Sequence, residues 1–410
     1  MLHRMDLRTR RARVAVAMCY FAQGFCFAAL LTQTNVLKDR FSFSDGELSL
    51  VLLVVPVVAG IGSVLSGLAA GRFGSAPVLR AGGLLVALAV AATGASASRP
   101  QLFAALFGVG LGLGVVDAAM NMQGVAVERR YGRPVLSSLH GVWSVGAMSG
   151  ALATAGTAEA GLTTAQALGV AAAVGAAVSL AAGPRLLKTD EATTSAPERA
   201  AGGATIPWRP IVLIGVAMMM MFIADSATSN WSTVYLDDVL HASPSVAALG
   251  LFAYQLCMVG GRSFGDRLVR RHGMAPMLRI GAVVGGAGLL LAAAAPVPAV
   301  GIAGFALQGL GLCIVVPLSF SAAGRLDPAG TGEAIARVNL FNYAGFVIGA
   351  GLIGAVAELA SLRLAFVVPA LLTTVIVLFA KAFEPPAAAQ SWTPATAPAA
   401  ADVQDLPDRT

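Results

Sequence analysis

The chain has 410 residues, of which 57% are apolar and only 12% are charged. Soluble domains carry charge on about a quarter of their residues, so this composition excludes a soluble globular protein and indicates one embedded in a membrane. The formal net charge of +6 alone would suit a nucleic-acid partner. All four cysteines lie in apolar stretches and predict no disulfide framework: Cys19, Cys26, Cys257 and Cys313.

Apolar runs long enough to cross a bilayer occur twelve times along the chain. A crossing needs about 20 apolar residues, because the hydrocarbon core is roughly 30 Å thick and a helix rises about 1.5 Å per residue. The first run follows the basic stretch RTRRAR; it is too long for a signal peptide, so we expect it to be retained. The predicted spans are residues 14–37, 47–70, 77–97, 101–126, 134–157, 163–183, 210–236, 246–266, 276–295, 299–323, 334–357 and 362–381.

The basic residues are divided unequally between the two sets of connections. With a cytoplasmic N-terminus, all but four of the 27 Lys and Arg residues fall in the tails, the cytoplasmic loops or the adjoining helix ends. The exceptions are Lys38, Arg40, Arg99 and Arg363. This asymmetry follows the positive-inside rule and predicts that both termini are cytoplasmic. The net charge therefore indicates membrane orientation, and we expect no nucleic-acid partner.

The second half of the chain repeats the first at an offset of 199 residues. GSAPVLRAG at 74–82 returns as GMAPMLRIG at 273–281, and VLKDRFSFS at 36–44 lies over YLDDVLHAS at 235–243. Such an offset predicts a duplicated six-helix unit. We expect an N-terminal six-helix bundle at 1–183, a cytoplasmic linker at 184–209, a C-terminal six-helix bundle at 210–384 and a disordered cytoplasmic tail at 385–410.

Two repeats of six spans around a cytoplasmic middle loop resemble the major facilitator superfamily over about residues 10–384. The family signature between helices 2 and 3, roughly GxLADRxGRR, reads here GLAAGRFGSA, where Gly67, Arg72 and Gly74 match. The second copy retains its acid and bases in GDRLVRRHG. The resemblance implies an all-α membrane protein with twelve transmembrane helices in two pseudo-symmetric halves, and gating roles for Arg72, Asp266 and Arg267.

Within the superfamily, the chain is most similar to an uncharacterised bacterial branch that is distantly similar to sugar:proton symporters. This resemblance implies a multi-pass protein of the bacterial inner membrane. It carries no specific substrate.

Two of the 21 acidic residues, Asp117 and Asp225, lie well inside predicted spans. Ionisable residues inside a membrane are rare and usually functional. We therefore assign proton coupling to Asp117, Asp225 and His140, the only histidine within a span, although a packing role for His140 is equally open. Asn121 lies one turn from Asp117, where we expect it to hydrogen-bond the carboxylate.

Polar and aromatic residues at central depth form the predicted substrate site. Amides suit hydroxyl recognition, and aromatic rings suit stacking; for the aromatic residues a packing role is equally open. The superfamily resemblance implies that helices 1, 2, 4, 5, 7, 8, 10 and 11 line the cavity. The predicted substrate-binding residues are Gln23, Asn121, Trp143, Trp231, Gln255, Asn339, Asn342 and Tyr343.

Catalytic motifs do not accompany these residues. GAGLIG at 349–354 has the GxGxxG spacing but lies inside a span with no preceding strand, and HExxH, CxxC and P-loop motifs are absent from the sequence. We expect no enzyme, cofactor or metal site.

The sequence thus favours a secondary active transporter that works by alternating access, is coupled to protons and functions as a monomer. Its expected partners are the lipid bilayer, protons and a small polar solute, of which a sugar is one candidate. The alternative is a proton-coupled exporter of drugs or metabolites. The family's antiporter signature has a Gly-Pro step in helix 5, whereas here Ala151 follows Gly150, which disfavours that alternative. A channel is a further alternative that the sequence does not exclude.

Overall fold

Long α-helices form almost all of the chain in the computed structural model, which describes residues 7–188, 206–327 and 329–384. Within those residues there are no strands, and twelve long helices follow one another. They are α1 Leu7–Thr32, α2 Asp45–Phe73, α3 Ser75–Ala95, α4 Arg99–Tyr131, α5 Leu136–Glu159, α6 Thr164–Ala182, α7 Trp208–Val234, α8 Pro244–His272, α9 Met274–Ala293, α10 Pro298–Arg325, α11 Glu333–Leu359 and α12 Leu362–Phe379. Most of the predicted linker and the whole predicted tail lie outside the described residues.

Eleven of these twelve helices are long and apolar enough to cross a membrane. The remaining one, α5, has 24 residues and carries more polar side chains, yet it packs along α1 and α8. Helix α10 consists of two pieces, Pro298–Leu312 and Val315–Arg325. The predicted all-α fold with twelve spanning helices is confirmed.

Three helices are longer at one end than the apolar pattern predicts. Helix α1 begins at Leu7, α4 continues to Tyr131 and α8 continues to His272, whereas the predicted limits are 14, 126 and 266. The added segments are rich in arginine, which favours helix almost as well as alanine. The apolar window therefore marks the membrane core, while the helices extend past it into charged turns.

Helix packing repeats between the two halves of the chain. In the first half α1 packs on α5, α2 on α4, and α3 on α4 and α6. In the second half α7 packs on α11, α8 on α10, and α9 on α10 and α12, which are the repeat-related pairs. The halves meet along α2 with α11 and along α5 with α8, again a related pair. We call these two contacts the α2/α11 seam and the α5/α8 seam.

Both ends of the described chain lie at one face of the bundle, because the number of crossings is even. We call it the basic face: α1 begins there, α12 ends there, and the helix ends there carry Arg72, Arg129, Arg270 and Arg325.

Two acids hold the turns at the basic face. Oε2 of Glu128, near the end of α4, accepts hydrogen bonds from the backbone N–H groups of Val135 at 2.9 Å and Leu136 at 3.3 Å, where α5 begins. Asp327, which follows α10, accepts a hydrogen bond from the backbone N–H of Gly332 at 2.6 Å, before α11. Carboxylates satisfy free N–H groups at helix starts. Glu128 and Asp327 occupy related positions of the repeat.

Glycines let α5 approach α1 closely. A side chain at Gly146 or Gly150 would meet the backbone carbonyl of Phe21 or Phe25. Small residues at such crossings allow helix backbones to pack in contact within a membrane.

We expect Gly150→Val to destabilise the protein by about 1 to 3 kcal/mol, because the added methyl groups must push α5 away from α1. Gly156→Val is the matched control on the same helix, since nothing lies within 4 Å of a Cβ there. The melting temperature in detergent should fall for Gly150→Val alone; equal losses in both variants would contradict the packing role.

Candidate transport site

Asp117 lies halfway along α4, half-buried between the two halves. Gln23 of α1 donates an amide N–H to its Oδ1, and Tyr343 of α11 donates its hydroxyl to its Oδ2. Trp143 of α5 donates its Nε1–H to Oε1 of Gln23 at 2.6 Å. A carboxylate within a membrane is costly unless such donors satisfy it. We call Gln23, Asp117, Trp143 and Tyr343 the central cluster; it joins three helices of the first half to α11 of the second.

Asn121 contacts Asp117 differently from the prediction. Its Nδ2 donates to the backbone carbonyl of Asp117 at 2.8 Å, so the expected bond to the carboxylate is wrong. Its Oδ1 accepts the hydroxyl of Tyr20 at 2.7 Å and lies 3.2 Å from Nε2 of His140. Because Oδ1 is only an acceptor, Nε2 carries the hydrogen. The His140 ring also packs between Tyr20 and Phe320, with ring centroids 5.1 and 6.0 Å away.

Asp225 of α7 forms a second polar contact, within the C-terminal half. Tyr254 of α8, which is fully buried, donates its hydroxyl to Oδ1 of Asp225. Nearby, Gln308 of α10 donates to the backbone carbonyl of Ala224 at 3.0 Å and accepts from Thr228 at 2.6 Å. These bonds tie α7 to α8 and α10, and none of them reaches the central cluster.

The two predicted asparagines of α11 lie at the α2/α11 seam. Asn339 is fully buried and donates to Oγ of Ser63 on α2 at 3.1 Å. Asn342 donates to Oδ1 of Asn339 at 3.4 Å, a long contact. Asn342 precedes Tyr343, so the seam and the central cluster adjoin on this helix.

Two further predicted substrate residues have no described hydrogen bond to the central cluster or to the asparagines of the α2/α11 seam. Trp231 packs beside Gly354, toward the face opposite the basic face. Gln255 is exposed, whereas its neighbour Tyr254 is buried. Their substrate roles stay predictions.

Asp266 is the predicted gating residue that connects the halves. It is 9% exposed, and its two oxygens accept the backbone N–H groups of Ser137 and Ser138, each at 3.0 Å, at the start of α5. A carboxylate at a helix N-terminus gains both charge-assisted hydrogen bonds and the favourable end of the helix dipole. Arg267, next along α8, is exposed.

A basic residue makes the complementary contact, and the sequence reasoning missed it. Arg129 of α4 donates to the backbone carbonyls of Gly324 and Asp327, where α10 ends; the second distance is 2.6 Å. Its position in the run ERR at a helix end was the available signal, but that run predicts only orientation. Arg72, the other predicted gating residue, lies over the ring of Phe73 at 5.3 Å.

Arg262 corrects the interpretation of the positive charges. The sequence places it with the basic helix ends, but it is only 7% exposed and lies inside the α5/α8 seam. Its Nη1 donates to Oγ of Ser144 at 2.8 Å, and its Nε donates to the carbonyl of Cys313 at 3.3 Å. The prediction failed because α8 extends six residues beyond its expected end at 266, to His272, which leaves Arg262 well inside the helix.

The contacts of Asp266, Arg129 and Arg262 all cross between the halves toward the basic face. The conformation is therefore closed at that face. Within residues 7–188, 206–327 and 329–384, no group of three or more His, Cys, Asp or Glu side chains is placed to hold a metal ion.

Two related six-helix halves that close over a hydrogen-bonded carboxylate at mid-membrane depth have the architecture of a secondary transporter. The profile of the Major Facilitator Superfamily matches residues 15–241 and 213–405. The chain belongs to this superfamily, and it is a membrane transporter and not an enzyme.

Similar proteins cover nearly the whole chain. The uncharacterized transporter y4wD of Sinorhizobium fredii is 31% identical over 366 residues, which are 89% of this chain and 96% of the relative. An uncharacterized MFS-type transporter of Yersinia pestis is 29% identical over 370 residues, 90% and 95% of the two chains. Among solved structures, FucP in the outward conformation superposes with a TM-score of 0.74 at 17% identity, covering 90% of this chain and 98% of FucP.

We expect Asp266→Asn to favour opening at the basic face, because the loss of a charged cap at a helix start costs about 1 kcal/mol, or about fivefold in an equilibrium. A single cysteine at Ala336, which is buried beside the α2/α11 seam, should react about fivefold faster with N-ethylmaleimide in this variant. Asp238→Asn, at an exposed acid near the opposite face, is the control. Unchanged labelling with Asp266→Asn would argue against the gating role.

Proposed function

We propose that this transporter moves a small polar solute across the bacterial inner membrane by alternating access, driven by protons, as a monomer with both termini cytoplasmic. The observation that carries the proposal is the central cluster, in which one carboxylate holds side chains from both halves. FucP, whose fold is similar, is an E.coli fucose:proton symporter, which makes sugars and sugar derivatives the first solutes to test.

Solute recognition in this proposal uses the groups around the carboxylate. Gln23, Asn342 and Tyr343 offer amide and hydroxyl groups, which can exchange their present partners for solute hydroxyls. The indole of Trp143 offers a ring face, and its N–H is fixed by Gln23. Because these residues come from both halves, a solute bound here would contact both halves at the same time.

Proton coupling in this proposal runs through Asp117. An ionised carboxylate accepts from both Gln23 and Tyr343, whereas a protonated one has a donor and reduced acceptor capacity. Binding of a proton therefore changes the contact that crosses between the halves. Proton coupling of this kind needs only one acid. The repeat places Val316 at the related position of α10, so the carboxylate is not duplicated in the second half.

Alternating access then requires the contacts at the basic face to break. Asp266 must leave the start of α5, and Arg129 must leave the end of α10, before a solute can pass toward that face. In both cases a hydrogen bond within the protein is replaced by hydrogen bonds to water, so the net free-energy cost is modest. Neither contact therefore prevents opening once the central cluster is rearranged.

We expect Asp117→Asn to fold and to exchange labelled for unlabelled solute, but to lose accumulation driven by a pH gradient, because the side chain can no longer bind and release a proton. Proteoliposomes with an imposed pH gradient separate the two activities. A panel of sugars, polyols and organic acids identifies the solute, and counterflow distinguishes a carrier from a channel.

Asp225→Asn is the second variant, and Asp237→Asn, at an exposed acid, is the control. Intact accumulation and pH dependence in both Asp117→Asn and Asp225→Asn would mean that protons are not coupled through these acids. Solute efflux in exchange for protons would instead support the exporter.

We expect the linker and the C-terminal tail to be cytoplasmic, because that orientation places nearly all basic residues inside. Single cysteines at Ala200 and Ala395 in a cysteine-free background should resist an impermeant maleimide on intact cells, and a cysteine at Ser245 should react. The reverse pattern would overturn the orientation.

A further inference from the structure

Arg262 has a full charge and neutral partners. Its guanidinium is buried in the α5/α8 seam, and the two oxygens it contacts belong to the hydroxyl of Ser144 and the backbone carbonyl of Cys313. Burial of a cation without an anionic partner is strongly unfavourable. The charge therefore calls for an explanation.

No acid of the described chain pairs with Arg262. Among the described residues, ion pairs join Arg99 with Glu47 and Arg337 with Glu333, and neither pair includes Arg262. Asp266, one turn along α8, is engaged by the start of α5. Asp225 is near enough to attract the guanidinium electrostatically, but it makes no hydrogen bond to Arg262, and its carboxylate accepts the Tyr254 hydroxyl.

The repeat shows that packing does not require this arginine. The offset of 199 residues places Ser63 of α2 at the position of Arg262. Ser63 closes the α2/α11 seam through a neutral contact with Asn339 at 3.1 Å. The protein thus forms the same kind of seam once with a serine and once with an arginine. Because a serine is sufficient in the α2/α11 seam, the charge of Arg262 has a function other than closing the α5/α8 seam.

We propose that Arg262 and Ser144 bind the carboxylate of the transported solute, so that the cargo is a small hydroxy acid of the sugar-acid type. The inference rests on the proposed function and specifies its solute class. A guanidinium matches a carboxylate with two parallel N–H donors, and a serine hydroxyl adds a third.

The position of this pair suits a solute held by the central cluster. Ser144 follows Trp143 on α5, so the carboxylate site and the indole that would stack on the solute ring come from the same turn of one helix. The Arg262–Ser144 bond crosses between the halves, so separation of the halves at the basic face releases both groups. Cargo and proton would then reinforce each other's binding, because a solute anion and a proton carry opposite charges into one site.

The test compares matched pairs of probes on purified full-length protein. The pairs are D-galacturonate with D-galactose and D-gluconate with D-glucose, and D-lactate serves as the smallest hydroxy acid. Thermal shift and calorimetry should show binding by acids and weaker or no binding by the neutral partners. Arg262→Gln keeps hydrogen-bond donors but loses the charge, and it should weaken the acids by about 10- to 100-fold. Arg270→Gln, at an exposed arginine of the same helix, should bind them normally.

A second readout needs no ligand. If Arg262 is a binding residue that carries an unpaired charge, ligand-free Arg262→Gln should melt at the same temperature as the wild type or higher. A clear loss of melting temperature would make Arg262 a structural clamp and overturn the proposal. Binding of neutral sugars as strong as that of their acids, no binding by any acid of the panel, or wild-type acid binding by Arg262→Gln would also overturn it. Proton-driven transport of a neutral sugar would do so while leaving the proposed function intact.

Discussion

The arrangement of the two halves depends on the hydrogen bonds that satisfy one carboxylate inside the membrane. Asp117 is tolerated because Gln23 and Tyr343 each donate to one of its oxygens, and these donors belong to different halves. Separation of the halves would remove the Tyr343 donor, and the free-energy cost of leaving that carboxylate oxygen unsatisfied holds the halves together at mid-membrane depth. Whatever changes the hydrogen-bonding capacity of this one group also changes the contact between the halves. In the proposed function, proton binding and solute hydroxyls would act on this group.

The closure at the basic face has a different physical basis. There the halves are joined by charged side chains set against helix ends: Asp266 at the start of α5 and Arg129 at the end of α10. Each contact pairs a full charge with the partial charge of unsatisfied backbone groups. Such bonds are directional and few, and each can be exchanged for hydrogen bonds to water when the basic face opens. In the proposed alternating-access cycle, the intact central cluster and the closed basic face belong to one state.

The fold was predictable from the sequence, whereas the detailed site was only partly so. Apolar runs and the 199-residue repeat determine the helices and their pairing, because both are patterns of spacing. Asp117 stood out because acids inside spans are rare, and its partners Gln23, Trp143 and Tyr343 were on the predicted list. The buried position of Arg262 and the contact made by Arg129 were missed, because hydropathy windows assign arginines to helix ends. Which rotation a helix adopts, and which backbone groups are left free, are decided by tertiary packing.

The duplicated acids Glu128 and Asp327 have a mechanical consequence. Each ties the start of one seam helix, α5 or α11, to the helix before it by hydrogen bonds at the turn. These hydrogen bonds restrain the two turns, so the start of each seam helix is tied to the end of the helix before it. In the proposed alternating-access cycle, movement of the end of α4 or α10 at the basic face would therefore displace the start of the seam helix that follows it.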